Sequence, residues 1–250
     1  VDFVVVLIVA FVFLGALMQR TTGMGFAMVA GPFLVVLLDP VAGVVLINAC
    51  GVLSSLIVLS RTFREVRWKR VAVLAVGALL GTIPGALVTT LLPQDAVRIF
   101  IGALIIAALT MSLLGSRFAP PVRPSPVKSA TAGFFSGFMS GSAGVGGPAM
   151  SVYAIMTRWE QRSFAATLQP YFVLTGLMAI IAKIAFDPSA VPILPGATWV
   201  AIVAALLLGQ LAGELLSRVL PVQTARVFMI VLAYFGGAVT VAFGAAGAIG

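Results

Sequence analysis

Residues 79–104 read LLGTIPGALVTTLLPQDAVRIFIGAL, and residues 207–232 read LLGQLAGELLSRVLPVQTARVFMIVL. Slid by 128 positions, the two stretches share ten identities in 26 columns. Gly81 meets Gly209, Gly85 meets Gly213, Pro93 meets Pro221, Arg98 meets Arg226 and Phe100 meets Phe228. An apolar composition repeats Leu and Val by chance, but not Gly, Pro and Arg in one register. A shift of 121 pairs Gly23 and Gly25 with Gly144 and Gly146, and Asn48 with Gln169. Coincidence in a low-diversity chain is the competing explanation. An internal duplication accounts for both shifts better. It gives one domain, 1–250, whose halves 1–115 and 130–250 are joined by the Pro-rich, basic linker 116–129. Internal repeats are a recurrent feature of secondary transporters.

Composition says what kind of solvent the chain needs. Of 250 residues, 61% are hydrophobic and 9% charged, where a soluble domain carries about 25% charged residues. So few charges cannot cover a water-facing surface, so the chain is an all-α integral membrane protein. It has no His and a single Cys, Cys50. His-based catalysis, His or Cys metal sites and an intramolecular disulfide are thereby excluded, and no cofactor is expected. The net charge of +8 sits in short loops between apolar runs. That placement fits membrane topology and not nucleic-acid binding.

Apolar runs at 42–60, 71–92, 96–115, 163–186, 197–219 and 223–246 are long enough to cross a bilayer. Runs at 25–38, 130–141 and 146–157 are too short and predict half-helices or re-entrant segments. Val1 to Leu17 lacks a basic start and a small-x-small cleavage site before Arg20, so it is expected to be retained and not cleaved as a signal peptide. The expected fold is two inverted halves, each with a glycine-broken re-entrant hairpin and about three full transmembrane helices. The segment up to Arg20 is also long enough to span fully.

Charge bias favours inversion. With inverted halves and loop 61–70 inside, twelve Lys and Arg lie inside, and Arg98 and Lys183 outside. Parallel halves give nine against five. The expectation is that 61–70, 116–128 and 158–162 share the cytoplasmic side, with 187–196 external.

Two glycine-rich segments interrupt the apolar runs: Gln19-Arg20-Thr21-Thr22-Gly23-Met24-Gly25-Phe26 and Ser140-Gly141-Ser142-Ala143-Gly144-Val145-Gly146-Gly147-Pro148. Glycine permits a positive φ and a close backbone approach. Pro148 suits the first turn of a helix. Free N–H groups and the positive dipole end at such a helix start attract anions. The candidate substrate-binding residues are Arg20, Thr21, Thr22, Gly23, Gly25, Ser140, Ser142, Gly144, Gly146 and Gly147. Asn48 and Gln169 join them at equivalent positions in the following helices; either amide can hold a ligand or tie neighbouring helices. Arg20 has two readings. It faces an anion at membrane depth, or it marks a boundary and snorkels. Glu214 and Arg218, spaced i,i+4, are expected to pair with each other.

At these residues the chain resembles the TauE/SafE, or sulfite exporter, family. The resemblance rests on QRTTGMGFAMVAGPFL and GFFSGFMSGSAGVGGPAMSVYAI, and on the duplicated G-x3-G…LP-x4-R-x-F blocks. In this chain Phe26 and Ala27 follow Gly25, where the family often carries a fuller run of glycines. The resemblance implies a transporter of sulfur oxyanions or organosulfur anions in a bacterial inner membrane. The residues by themselves imply only an anion.

The expected function is export of a small sulfur oxyanion such as sulfite, by an electrogenic or gradient-driven route. Uptake of an organosulfonate or thiosulfate is the alternative within transport. A membrane assembly factor without transport is a more distant one. An intramembrane hydrolase has no His to activate Ser136, Ser140 or Ser142, so no enzyme is expected. The partners are the anion and the bilayer; a homo-oligomer is left open.

Overall fold

The computed structural model describes residues 3–23, 25–118 and 120–249; Val1, Asp2, Met24, Ala119 and Gly250 lie outside the described residues. It holds ten α-helices, with no strand among the described residues: α1 (Phe3–Thr22), α2 (Phe26–Leu37), α3 (Pro40–Thr62), α4 (Trp68–Leu91), α5 (Gln94–Phe118), α6 (Pro126–Ala143), α7 (Gly147–Met156), α8 (Gln161–Phe186), α9 (Gly196–Leu216) and α10 (Val222–Ile249). Short 3-10 turns follow α3 and α8.

Seven of these helices (α1, α3, α4, α5, α8, α9 and α10) are long and apolar enough to cross a membrane. The first apolar segment is thus a seventh span-length helix of 20 residues. Helices α2 and α7 have 12 and 10 residues, about 18 and 15 Å, and fall short of a ~30 Å hydrocarbon layer. Helix α6 is longer than the apolar run 130–141 suggested. It begins at Pro126, because the Ser125 side chain accepts from the Lys128 N–H and proline suits the first turn. Part of the expected linker is therefore helix. Asp39 starts α3 in the same way, accepting from Val41 and Ala42 N–H ahead of Pro40.

Glycine decides how the longest contacts pack. A Cβ on Gly77, Gly81 or Gly85 of α4 would overlap the carbonyls of Ala130, Phe134 or Phe138 on α6. Gly133, Gly137 and Gly141 of α6 meet the carbonyls of Leu74, Ala78 and Thr82 in return. This is small-xxx-small packing from both sides. Gly209 and Gly213 of α9 lie in the same way against the Phe13 and Leu17 carbonyls of α1. Helix α5 packs on α10, and α3 on α8. The main core, with Ile8, Val12, Val29, Leu34, Leu46, Ile101 and Ile202 fully buried, fills the space between α1, α2, α3, α5 and α9.

The bundle has one strongly basic end. Arg162 Nη2 lies 2.5 Å from Glu65 Oε1, Arg67 Nε donates to Ser163 Oγ at 2.8 Å, and the Val122 N–H donates to the Met156 carbonyl at 2.8 Å. Loop 63–67, the linker and the start of α8 thus share this end. At the opposite end Gln94 Nε2 donates to Asp39 Oδ2 at 2.6 Å. Lys183 also lies toward that end. It is not in a loop: it is fully buried in α8, with Nζ donating to Thr89 Oγ1 at 2.5 Å.

Candidate functional site

Both glycine segments break helices as expected, but the glycines have distinct jobs. Gly144 has φ 74° and closes α6: its N–H donates to the Ser140 carbonyl, and the Val145 N–H donates to the Met139 carbonyl. This double closure needs a left-handed residue. Gly23 closes α1 with φ 79°, its N–H donating to the Gln19 carbonyl. Gly25 and Gly146 precede α2 and α7 without a left-handed φ. A side chain would be crowded at both, by backbone at Gly146 and by the movable end of a methionine at Gly25. A Cβ would lie 2.8 Å from Met229 Sδ at Gly25, and 2.7 Å from Ser136 Oγ at Gly146.

The two breaks meet at one cavity of about 70 Å³. At ~10–15 Å³ per water, it has room for a handful of waters or one small anion. Phe26, Ala27 and Met28 of α2 and Gly146 and Gly147 of α7 line it. The first N–H groups of two helices therefore border one space, where their partial positive charges add. Gly51 of α3 and Thr175 and Gly176 of α8 also line it, and lie about midway along those long helices.

The polar side chains of the lining are Gln19, Asn48, Ser55, Ser140 and Thr175, none with a formal charge. Ser55 is 1% exposed, lines the cavity, and its Oγ has no hydrogen-bond partner. Gln19 lines it too, and its Oε1 accepts from Ser54 Oγ at 2.7 Å, leaving the NH2 as the end turned to other partners. Ser54 accepts in turn from Gln210 Nε2, which links α1, α3 and α9 behind the cavity wall. Asn48 and Ser140 line the cavity and bind each other, Ser140 Oγ donating to Asn48 Oδ1 at 3.2 Å. No Lys, Arg, Asp or Glu lines this space among the described residues.

Of the residues singled out from sequence, Gly25, Asn48, Ser140, Gly144, Gly146 and Gly147 come together here. The others lie elsewhere. Arg20 does not line the cavity: its guanidinium pairs with Glu214, Nε lying 2.6 Å from Oε2. Arg61 and Arg218 stand 3.7 and 4.0 Å from the same carboxylate. The expected Glu214–Arg218 pair is thus the loosest of three, and Arg20 is a member of an ion cluster at the basic end. Thr21 Oγ1 donates to the Met18 carbonyl at 3.0 Å, and Thr22 Oγ1 to the same carbonyl at 2.7 Å. Ser142 is fully buried and donates to the Phe138 carbonyl. Gln169 donates to the Ala165 carbonyl and buries an unpaired Oε1 outside the cavity lining. Gly23 closes α1 without lining the cavity.

Gln19, Gly51, Ser55, Thr175 and Gly176 were missed. A signal existed: Asn48, Gly51 and Ser55 recur at i, i+3 and i+7 within an otherwise apolar run, which places them on one helix face.

Seven span-length apolar helices, with a cavity where the two helix breaks meet, are the architecture of a multi-pass membrane protein. The chain belongs to the family described as Sulfite exporter TauE/SafE, whose profile matches residues 7–240 of 250, and it is a membrane transporter of that family. No curated protein and no solved structure matches it.

Proposed function

We propose that the cavity between the two breaks is the substrate site and that the transported substrate is a small sulfur oxyanion such as sulfite. The observation that carries this is the convergence of the α2 and α7 N-termini on a space that is also lined by Ser55, whose buried hydroxyl has no protein partner. The Gln19 NH2 and the Ser55 hydroxyl are donors in that lining, and no Lys, Arg, Asp or Glu lines the cavity among the described residues. An anion replaces its hydration shell with N–H and O–H groups, while a cation finds no carboxylate. The cavity's size favours an inorganic oxyanion over a bulky sulfonate.

The two halves are read as an inverted duplication. Helix starts support it. Phe26 and Pro40, shifted by 121, fall on Gly147 and Gln161, where α7 and α8 begin. Trp68 and Gln94, shifted by 128, fall on Gly196 and Val222, where α9 and α10 begin. Packing is exchanged in the same way: α1 lies on α9 as α6 lies on α4, and α2 on α10 as α7 on α5. Each half then carries a broken pair, α1–α2 or α6–α7, meeting at the midplane. The basic end is cytoplasmic by the positive-inside rule. An inside-negative potential then favours export of an anion by about 2.3 kcal/mol per charge per 100 mV.

The test is ligand-induced thermal stabilisation of the purified protein with sulfite, sulfate, thiosulfate, sulfoacetate and acetate, followed by flux in liposomes. The reading expects stabilisation by a small sulfur oxyanion and movement of that anion into empty vesicles. Stabilisation by none of the five, with no flux, would contradict it.

A further inference from the structure

A second cavity, of about 300 Å³, opens at the basic end beneath the first. Its polar lining is Thr22, Ser112, Ser151, Gln161, Gln223 and Arg226. Met28 lines both cavities. Met229, also in the lining, lies against the first break, with its Sδ 3.7 Å from Thr22 Oγ1. Two buried thioether side chains therefore stand where the two spaces adjoin.

The duplicated blocks explain why Arg226 differs from its counterpart. Arg98 and Arg226 occupy the same place in the G-x3-G…LP-x4-R-x-F pattern. Arg98 is neutralised: its Nη1 lies 2.8 Å from Asp95 Oδ1, three residues earlier on α5. The residue three before Arg226 is Gln223. Arg226 is exposed, and it has no ion pair or hydrogen bond among the described residues. No Asp or Glu lines its cavity among those residues either. One repeat thus closes off its arginine with a carboxylate. The other leaves a full positive charge, flanked by the amides of Gln161 and Gln223, on a cavity that adjoins the central one.

Resting on the transport reading above, we propose that this cavity is an anion vestibule. Arg226 collects the small oxyanion at the basic face, and it then passes Met28 and Met229 to the central cavity. A guanidinium presents several donors in one plane and suits an oxyanion better than a point charge does. A cleft of one charge sign raises the local concentration of its ligand, and the effect falls with ionic strength. Methionine suits the divide because its unbranched chain changes rotamer readily without breaking strong hydrogen bonds.

The experiment installs in α10 the pair that α5 already has. Wild-type, Gln223→Asp, Gln223→Asn and Arg226→Gln proteins are placed in oriented liposomes, and sulfite flux starting from the basic face is measured at low and high salt. The expected result is a KM raised about three- to tenfold by Gln223→Asp and Arg226→Gln at low salt, converging on wild type at high salt. Gln223→Asn should stay near wild type, as should sulfite-induced thermal stabilisation in all four. If Arg226→Gln inserts poorly, Gln223→Asp still decides the matter, since it leaves Arg226 in place. A wild-type protein that moves sulfite, with KM and salt dependence unchanged in Gln223→Asp, overturns the vestibule alone. A folded wild-type protein that moves none of the sulfur oxyanions overturns the transport reading, and the vestibule falls with it.

Discussion

Asn48 of α3 and Ser140 of α6 hold each other at the edge of the central cavity. The Ser140 hydroxyl donates to Asn48 Oδ1 at 3.2 Å, and Asn48 Nδ2 donates back to the Ser140 carbonyl at 3.3 Å. Asn48 Nδ2 also donates to the Val44 carbonyl at 2.9 Å, so its amide is satisfied within the protein. This pair ties the first half of the chain to the second break and fixes the Ser140–Gly144 turn against α3.

That geometry makes the two residues one unit. Asn48→Ala and Ser140→Ala should each destabilise the protein, and the double variant should cost less than the sum. The coupling should be about 0.5–3 kcal/mol, as for residues sharing a hydrogen-bond network. Denaturant or thermal unfolding of the four proteins in detergent measures it. Additive losses would mean that the pair does not act as one.

Gly51 gives a prediction in which stability and binding move in opposite directions. Its Cβ position meets nothing within 4 Å, and the residue lines the cavity in the middle of α3. Gly51→Ala should stabilise the helix by roughly 0.5–1 kcal/mol. The same methyl group takes up part of a cavity of only about 70 Å³ and should lower anion affinity. Gly81→Ala is the contrast, because its Cβ would overlap backbone of α6; it should damage folding. Melting temperature and sulfite affinity of the two variants check both statements.

The two left-handed glycines should also differ. At Gly23 a Cβ would meet nothing within 4 Å, so Gly23→Ala pays only the backbone strain of φ 79°, about 1–3 kcal/mol. Gly23→Asn should cost less, since Asn tolerates that region. At Gly144 a Cβ would in addition press to 2.8 Å from Ile47 Cγ2. Gly144→Ala should therefore be the more destabilised in thermal unfolding. Equal losses at the two positions would contradict the crowding at Ile47.

Arg20 should not contribute to anion affinity. It pairs with Glu214 beside Arg61 and Arg218, outside the cavity lining. Arg20→Gln is expected to lower expression or melting temperature while the dissociation constant for sulfite stays within about twofold. Glu214→Gln should act in the same direction. A large loss of affinity in folded Arg20→Gln protein, seen by calorimetry, would return Arg20 to the site.

The architecture was legible where physics is local. Run length marked the spans, and Gly23, Gly25, Gly144 and Gly146 marked the breaks, because few residues other than glycine fit a left-handed closure or a crowded helix start. Gly81, Gly85, Gly209 and Gly213 could be read as packing residues from their spacing. The start of α6 was missed because Ser125 and Pro126 lie in a polar, Pro-rich stretch whose cap outweighs its composition. Arg20 and Glu214 lie 194 residues apart, and nothing along the chain relates them. Ser55, Gln19 and Thr175 are lone polar residues along the chain, and only the fold brings them to one space.

Ser55 tests the central claim most directly. It is buried, its hydroxyl has no protein partner, and it borders the space that the α2 and α7 N-termini share. Removing an unsatisfied buried hydroxyl should leave stability unchanged or slightly higher. Removing a donor to a bound anion should cost about 1.5–3 kcal/mol, roughly a ten- to hundredfold weaker dissociation constant. The measurement is calorimetric sulfite affinity of Ser55→Ala, with its melting temperature taken alongside. The account predicts a melting temperature at or above wild type with affinity at least about tenfold weaker. An unchanged dissociation constant in the folded variant would contradict an anion site between the two breaks.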